Sequence, residues 1–259
     1  MRCAVIGHVE WVDFASVPHV PAAGAIVQGE EVLSVPAGGG AVVARQIARL
    51  AGRCEFFTAL GDDELGHRAT RELAELGLDV HAEYFGTTRR GWVHVDENGE
   101  RTITVIGEKL RPRGPLPLDR YDLVFFVAGD VEALRSARTA RFLAATMREL
   151  PTLRDAGVHL DLVVGSANDA GETWDGSVDA EIVALTDGAH GGSANGVRWE
   201  ATAPPGPIVD AYGAGDSTGA ALAFALARGD ALPEALALAA RAGAAVITGR
   251  GPYTTQISS

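Results

Sequence analysis

A chain of 259 residues that is 47% hydrophobic and 22% charged has enough apolar material for a sizeable core, arranged as one large α/β domain or two small ones. Its formal net charge of −12 excludes a protein that coats nucleic acid through a cationic surface. It has no apolar run of the roughly 20 residues that a membrane helix requires, which argues against a bilayer span.

The first residues, MRCAVIGHVEWVD, have neither the long apolar stretch nor the cleavage site of a signal peptide. Residues 3–7 read instead as a buried strand ending in glycine. The only two cysteines, Cys3 and Cys54, lie in apolar strand-like surroundings without CxxC spacing. Buried free thiols in a reducing cytoplasm are the expectation. The seven histidines show no metal-ligand spacing.

Residues 17–40, VPHVPAAGAIVQGEEVLSVPAGGG, read as extended chain punctuated by proline. GAVVARQIARLAG then sets Val42, Val43, Ile47 and Leu50 at helical spacing and stops at Gly52. CEFFTALG reads as strand. DDELGHRATRELAELG reads as helix, with Leu65, Ala69, Leu73 and Leu76 on one face. Alternating residues on both sides of Asn98-Gly99 predict a hairpin over 91–108 with a tight primed turn.

From residue 122 a strand–helix rhythm takes over. DLVFFVAG, ARFLAA, HLDLVVG and EIVALTDG read as strands, with VEALRSA and MRELPTLRDAG as the helices between the first three. Strands alternating with helices imply parallel pairing through right-handed crossovers. The expected fold is α/β: a doubly wound, mostly parallel sheet flanked by helices, in a single domain over 1–259. The β-rich segments at about 13–37 and 84–108 interrupt it and form either a small lid sheet over a pocket or a pair of surface hairpins.

The chemistry concentrates in IVDAYGAGDSTGAALAFALARG, from Ile208 to Gly229. Gly213, Ala214 and Gly215 lead into an Ala- and Leu-rich helix. Helix N-termini expose unpaired amides and partial positive charge, so this turn can bind a phosphate or a developing oxyanion. Asp216 at the same point is either an ordinary helix cap or a base that takes the proton of an attacking hydroxyl. The stretch is neither a Walker A loop nor a dinucleotide fingerprint, whose spacings it lacks.

DAYGAGDSTGAALAFALARG resembles the C-terminal signature of the ribokinase-like (PfkB) carbohydrate and nucleoside kinases, D-T-x-G-A-G-D. PAGGGAVVARQIARLAG followed by FFTALGDDELG resembles that family's N-terminal glycine motif, and the likeness keeps its order over nearly the whole chain. The resemblance implies an ATP-dependent sugar kinase using Mg2+, with K+ as a further cation. Asp216 becomes the general base, and Gly213, Ala214 and Gly215 the anion hole. Asp13, near the end of the first strand, with Gly38 and Gly39, implies the sugar site. Thr186, Gly188 and Gly191 imply the ATP site, and Asp210 supports the loop and a nearby metal ion.

The departures from the family pattern are specific. Val42 stands where the family carries a hydroxyl-binding Asn, and Ala211 replaces the Thr of the signature. The N-x-x-E magnesium motif has no clean equivalent among Asn168, Asp169 and Glu172. Arg241 falls in the C-terminal helix, where small or polar residues face adenine. Two alternatives accompany the sugar kinase: a nucleoside kinase, with Trp11, Phe14 or Trp92 stacking on a base, and a non-catalytic sugar- or nucleotide-binding regulator. The partners implied are a small sugar or nucleoside, with no nucleic acid or membrane, and a second copy of the chain paired through the lid.

Overall fold

The computed structural model describes residues 1–258. Nine strands form one sheet in the order β13-β12-β11-β10-β9-β8-β1-β4-β5. These are β1 (Cys3–Ile6), β4 (Glu55–Leu60), β5 (Asp79–Tyr84), β8 (Leu123–Phe126), β9 (Phe142–Thr146), β10 (Leu160–Ser166), β11 (Ala180–Thr186), β12 (Gly192–Ala194) and β13 (Val197–Trp199). β5 through β11 run parallel, and β12 and β13 add an antiparallel edge. The central strands β1 and β8 are buried at every position, because helices cover both faces of a parallel sheet.

Six helices supply that cover. α1 (Gly39–Ala51), α2 (Glu64–Glu75), α5 (Ala214–Arg228) and α6 (Leu232–Val246) share one apolar core with the sheet. α3 (Val131–Ala137) and α4 (Leu150–Ala156) close the opposite face. The arrangement is the doubly wound α/β body expected from the strand–helix rhythm. Cys3 and Cys54 are free and buried within it. No helix among the described residues is long and apolar enough to cross a membrane.

The two β-rich segments form one separate sheet, in the order β3-β2-β6-β7, from β2 (Glu10–Ser16), β3 (Glu30–Ala37), β6 (Arg90–Val95) and β7 (Arg101–Ile106). Its inner face, with Val12, Phe14, Val93 and Val95, packs on Val42 and Tyr212 of the body. The lid is therefore a real sheet seated on the site region rather than a pair of independent hairpins.

Three details differ from the sequence reading. The hairpin at Asn98-Gly99 uses a three-residue loop: Gly99 N–H donates to the Asp96 carbonyl (2.9 Å), and only Gly99 takes positive φ. A two-residue primed turn would need positive φ at both central residues. β5, β12 and β13 carry too little periodicity to be read from the sequence. Asp13 lies on β2 of the lid, not on the first strand of the body.

Candidate functional site

Two helix N-termini converge beneath the lid. β3 runs into Gly38 and starts α1, whose first turn carries no acidic residue and no side-chain cap. Gly38 N–H donates to the Tyr212 hydroxyl at 3.1 Å, which ties this turn to the loop ahead of α5. α5 starts at Gly213, whose φ of 82° lies in the left-handed region that L side chains avoid. That conformation turns the chain into α5, whose first amide, that of Ala214, donates back to the Ala211 carbonyl at 3.4 Å.

Asp216 sits in the first turn of α5. It is not the helix cap: Gly213 takes that position, and no side chain caps the helix. Its carboxylate faces the start of α1 instead. A Cβ on Gly39 would lie 3.0 Å from Asp216 Oδ1 and 3.3 Å from Val127 Cγ1, so only glycine leaves this face open. The space above Gly215 is likewise open.

The loop that aims Asp216 is held by Asp210, which is buried at 4% exposure. Its Oδ1 accepts the Tyr212 amide (2.8 Å) and its Oδ2 accepts the Gly251 amide (3.0 Å). Burial raises the Asp210 pKa, and these amides oppose the rise. Val42 supports the same loop from below. It is fully buried, and its Cγ1 would sit 3.0 Å from a Cβ on Gly213. The residue in the place of the family's Asn is thus a packing residue.

Burial pushes the Asp216 carboxyl up to about 6; the positive charges of Arg101 and Arg148 pull it down, while Glu172 and Glu10 push it up. A carboxylate tuned to that range is largely ionised near neutrality yet basic enough to accept a proton.

The opposite wall comes from the ends of β9, β10 and β11. Arg148 forms ion pairs with Asp169 and Glu172 (3.2 Å to Glu172 Oε1). Glu172 also accepts the Ser166 amide through Oε2 at 2.8 Å. Burial raises the Glu172 pKa and Arg148 opposes it, whereas the Gly171 amide and Arg148 lower that of Asp169. The two acids left unassigned by the sequence are therefore gathered on one cation, and Glu172 is close enough to act on Asp216. Thr186 ends β11, with its hydroxyl donating to the Gly165 carbonyl (3.3 Å), and Gly188 opens the short 3-10 turn that follows. Gly191 packs against the backbone at Trp199, Glu200 and Ala201, so its absent side chain makes room for the chain itself. Arg241 is exposed on α6.

The lid separates Asp13 from this constellation. Asp13 points to the face opposite Val12 and Phe14, where Oδ1 accepts from the Ser34 hydroxyl (2.5 Å) and Oδ2 pairs with Arg90 (2.7 Å). Glu10, on the inner register of the same strand, is the acid that reaches the site. Its amide nitrogen would lie 3.4 Å from a Cβ on Gly38, and its charge acts on Asp216. The alternation of β2 carries that signal, provided the strand is known to begin at residue 10. Of the aromatics, Trp11 and Phe14 are buried, while Trp92 is 42% exposed beneath the Arg90 guanidinium.

The lid is docked at its tip. Ala211 N–H donates to the Gly99 carbonyl (3.1 Å), and Arg101 donates to the Ala211 carbonyl (3.3 Å). The hairpin thus lies directly on the loop that aims Asp216.

A doubly wound sheet, a four-stranded cover and a carboxylate at a glycine-opened helix N-terminus together define the ribokinase-like fold. The sequence matches the model of the pfkB family of carbohydrate kinases over residues 1–164 and 165–258, and the chain belongs to that family. It is 32% identical to the fructokinase of Salmonella typhimurium over 133 residues, which covers 49% of this chain and 42% of that protein. It is 27% identical to the bifunctional protein HldE of Rhodopseudomonas palustris (strain HaA2) over 285 aligned positions, covering 90% of this chain and 56% of HldE. The chain thus spans about half the length of the curated relatives it matches. Among solved structures, the ribokinase of Cryptococcus neoformans var. grubii in complex with ADP superposes with a TM-score of 0.75 at 18% identity, over 99% of this chain and 96% of that one.

Proposed function

We propose that the chain is an ATP-dependent kinase that moves the γ-phosphoryl group to a hydroxyl of a sugar or related small molecule. The observation that carries this reading is the Asp216 carboxylate, set at the N-terminus of α5 and facing the side-chain-free start of α1. Asp216 accepts the proton of the acceptor hydroxyl as that oxygen attacks phosphorus. The amides of Gly213, Ala214 and Gly215 receive the charge that builds on the transferred group. ADP in the Cryptococcus neoformans ribokinase supports a nucleotide site here, with Thr186 and Gly188 beside it and Gly191 shaping its hairpin. Gly38 and Gly39 would let the acceptor approach the α1 backbone, while Asp13 would act by bracing the lid through Ser34 and Arg90.

The carboxylate of Glu172, near enough to act on Asp216, and that of Asp169 on the same Arg148 are hard oxygen donors, which suits a hydrated magnesium ion. Such an ion, when bound, neutralises phosphate charge. Asp210 would serve a cation indirectly, through the backbone it holds, and K+ is the monovalent ion to include. The free edge of the lid, β7, exposes Ile103, Val105 and Ile106, which supports pairing with a second copy; sedimentation at two concentrations tests this.

The test is ADP release from Mg-ATP across sugars, polyols and nucleosides, with the native chain beside Asp216→Asn. The expected result is an acceptor-dependent signal that falls roughly 100- to 10,000-fold in the variant. An equal signal in both proteins, or silence across the panel with sugar binding intact, would overturn the reading in favour of a binding protein.

A further inference from the structure

Beside Gly38, on the inner face of the lid, lies a concentration of positive charge unexpected in so acidic a chain. His8 follows β1, and its imidazole approaches Gly38: a Cβ there would lie 3.3 Å from His8 Cδ2. Arg89, just ahead of β6, reaches the same place, with Nε 3.2 Å from Glu10 Oε1. Lys109 and Arg111, from the segment after β7, both pair with the buried Glu149 (3.3 Å for Lys109).

The three cations outnumber the two carboxylates they pair with, Glu10 and Glu149; Asp216, near enough for Glu10 to act on it, is the third acid of the region. Burial raises the Glu10 pKa even with Arg89 and Lys109 nearby, which shows how poorly its charge is solvated. Burial holds His8 well below its usual range, and Lys109, Arg89 and Arg111 lower it further, so the imidazole is neutral and three cations converge on it. His8 Nδ1 is buried without a hydrogen-bond partner, while Arg89 Nε is held by its ion pair with Glu10. A buried polar atom left unpaired costs free energy unless a ligand completes it. The uncapped N-terminus of α1, with its partial positive charge, opens at the same point.

We infer that the acceptor is an anionic sugar, a sugar monophosphate or a sugar acid, whose charged group sits against His8, Arg89, Lys109 and Arg111 at the start of α1. This rests on the kinase reading. A carboxylate or phosphate there would accept charge-assisted hydrogen bonds from these cations.

The experiment compares fructose, fructose 6-phosphate and gluconate as acceptors with Mg-ATP. In parallel, calorimetry measures inorganic phosphate and gluconate binding with a non-hydrolysable ATP analogue filling the nucleotide site. Native protein, Lys109→Met, Arg111→Met and the charge-conserving Arg111→Lys are compared, with thermal melts to confirm folding. At least one anion should bind, and either Met variant should weaken it roughly 10- to 100-fold, the weight of one charge-assisted hydrogen bond. Arg111→Lys should restore much of the loss. In turnover, the acceptor KM should rise in the Met variants with kcat little changed. Preference for fructose 6-phosphate identifies a phosphate ligand, and preference for gluconate a carboxylate. Anion binding that the Met variants weaken, without turnover of any acceptor, would defeat the kinase reading and with it the acceptor assignment, leaving only the anion site. No anion binding, equal binding in native and Met variants, or fructose turnover matching both anions would overturn it.

Discussion

Asp216 and Gly39 meet across the N-termini of two helices that lie far apart in sequence: a Cβ on Gly39 would stand 3.0 Å from Asp216 Oδ1. The glycine of one motif is what leaves room beside the acid of the other. The two signatures of the chain are thus one site.

Gly39→Ala should lower kcat by roughly 100-fold, the loss typical of a reacting group displaced by about 1 Å. Gly39 does not require positive φ, so the melting temperature should change little. Steady-state kinetics beside a thermal melt separates the two effects. A normal kcat would show that the acid has room to move aside.

The Asp216 pKa of about 6 sets the pH dependence. With Asp216 as the proposed base, kcat/KM should rise with unit slope below about pH 6 and level off above it. Stability has the opposite sign. The folded state holds this proton more tightly than an ordinary aspartate at 3.8, so Asp216 destabilises the fold progressively as pH rises from 3.8 through 6. Asp216→Asn should therefore melt higher than the native chain at pH 8, with the gap closing below pH 3.8.

Arg101 couples the lid to the base. It bonds the Ala211 carbonyl and lowers the Asp216 pKa. Arg101→Met should move the acid limb of the kcat/KM profile to higher pH. Hydrolysis of ATP without acceptor should increase as the hairpin loosens. An unchanged profile would mean that solvent screens the pair.

Val42→Asn restores the family's polar residue in name only. The site is fully buried and packs beneath Gly213, so an amide there lacks partners. A loss of about 1–3 kcal/mol in denaturant unfolding is expected, with no gain in acceptor affinity. A lower acceptor KM would place this side chain in the pocket after all.

Glu10→Gln and Asp13→Asn test the register of β2. Glu10 faces the site and Asp13 the far side of the lid. The first releases Arg89 from its ion pair and should lower the KM of an anionic acceptor several-fold. The second should cost about 1 kcal/mol of stability through the lost Arg90 link, with kinetics little altered.

Much of this protein was legible in its residues. Helical spacing in 41–50 and apolar runs such as LVFF mark elements whose cause is local, and the strand–helix rhythm orders them into a parallel sheet. The glycines before Asp216 announced an open helix N-terminus, because backbone freedom and unpaired amides are properties of the chain itself. Tertiary structure decided the rest. Whether Asp13 or Glu10 faces the site depends on where β2 begins and which face its neighbours bury, since neighbouring residues of a strand point to opposite faces. Val42 became a support rather than a ligand because Gly213, distant in sequence, packs above it. The gathering of Arg89, Lys109 and Arg111 around His8 joins three separate segments. Local spacing cannot show such a cluster, because long-range packing creates it.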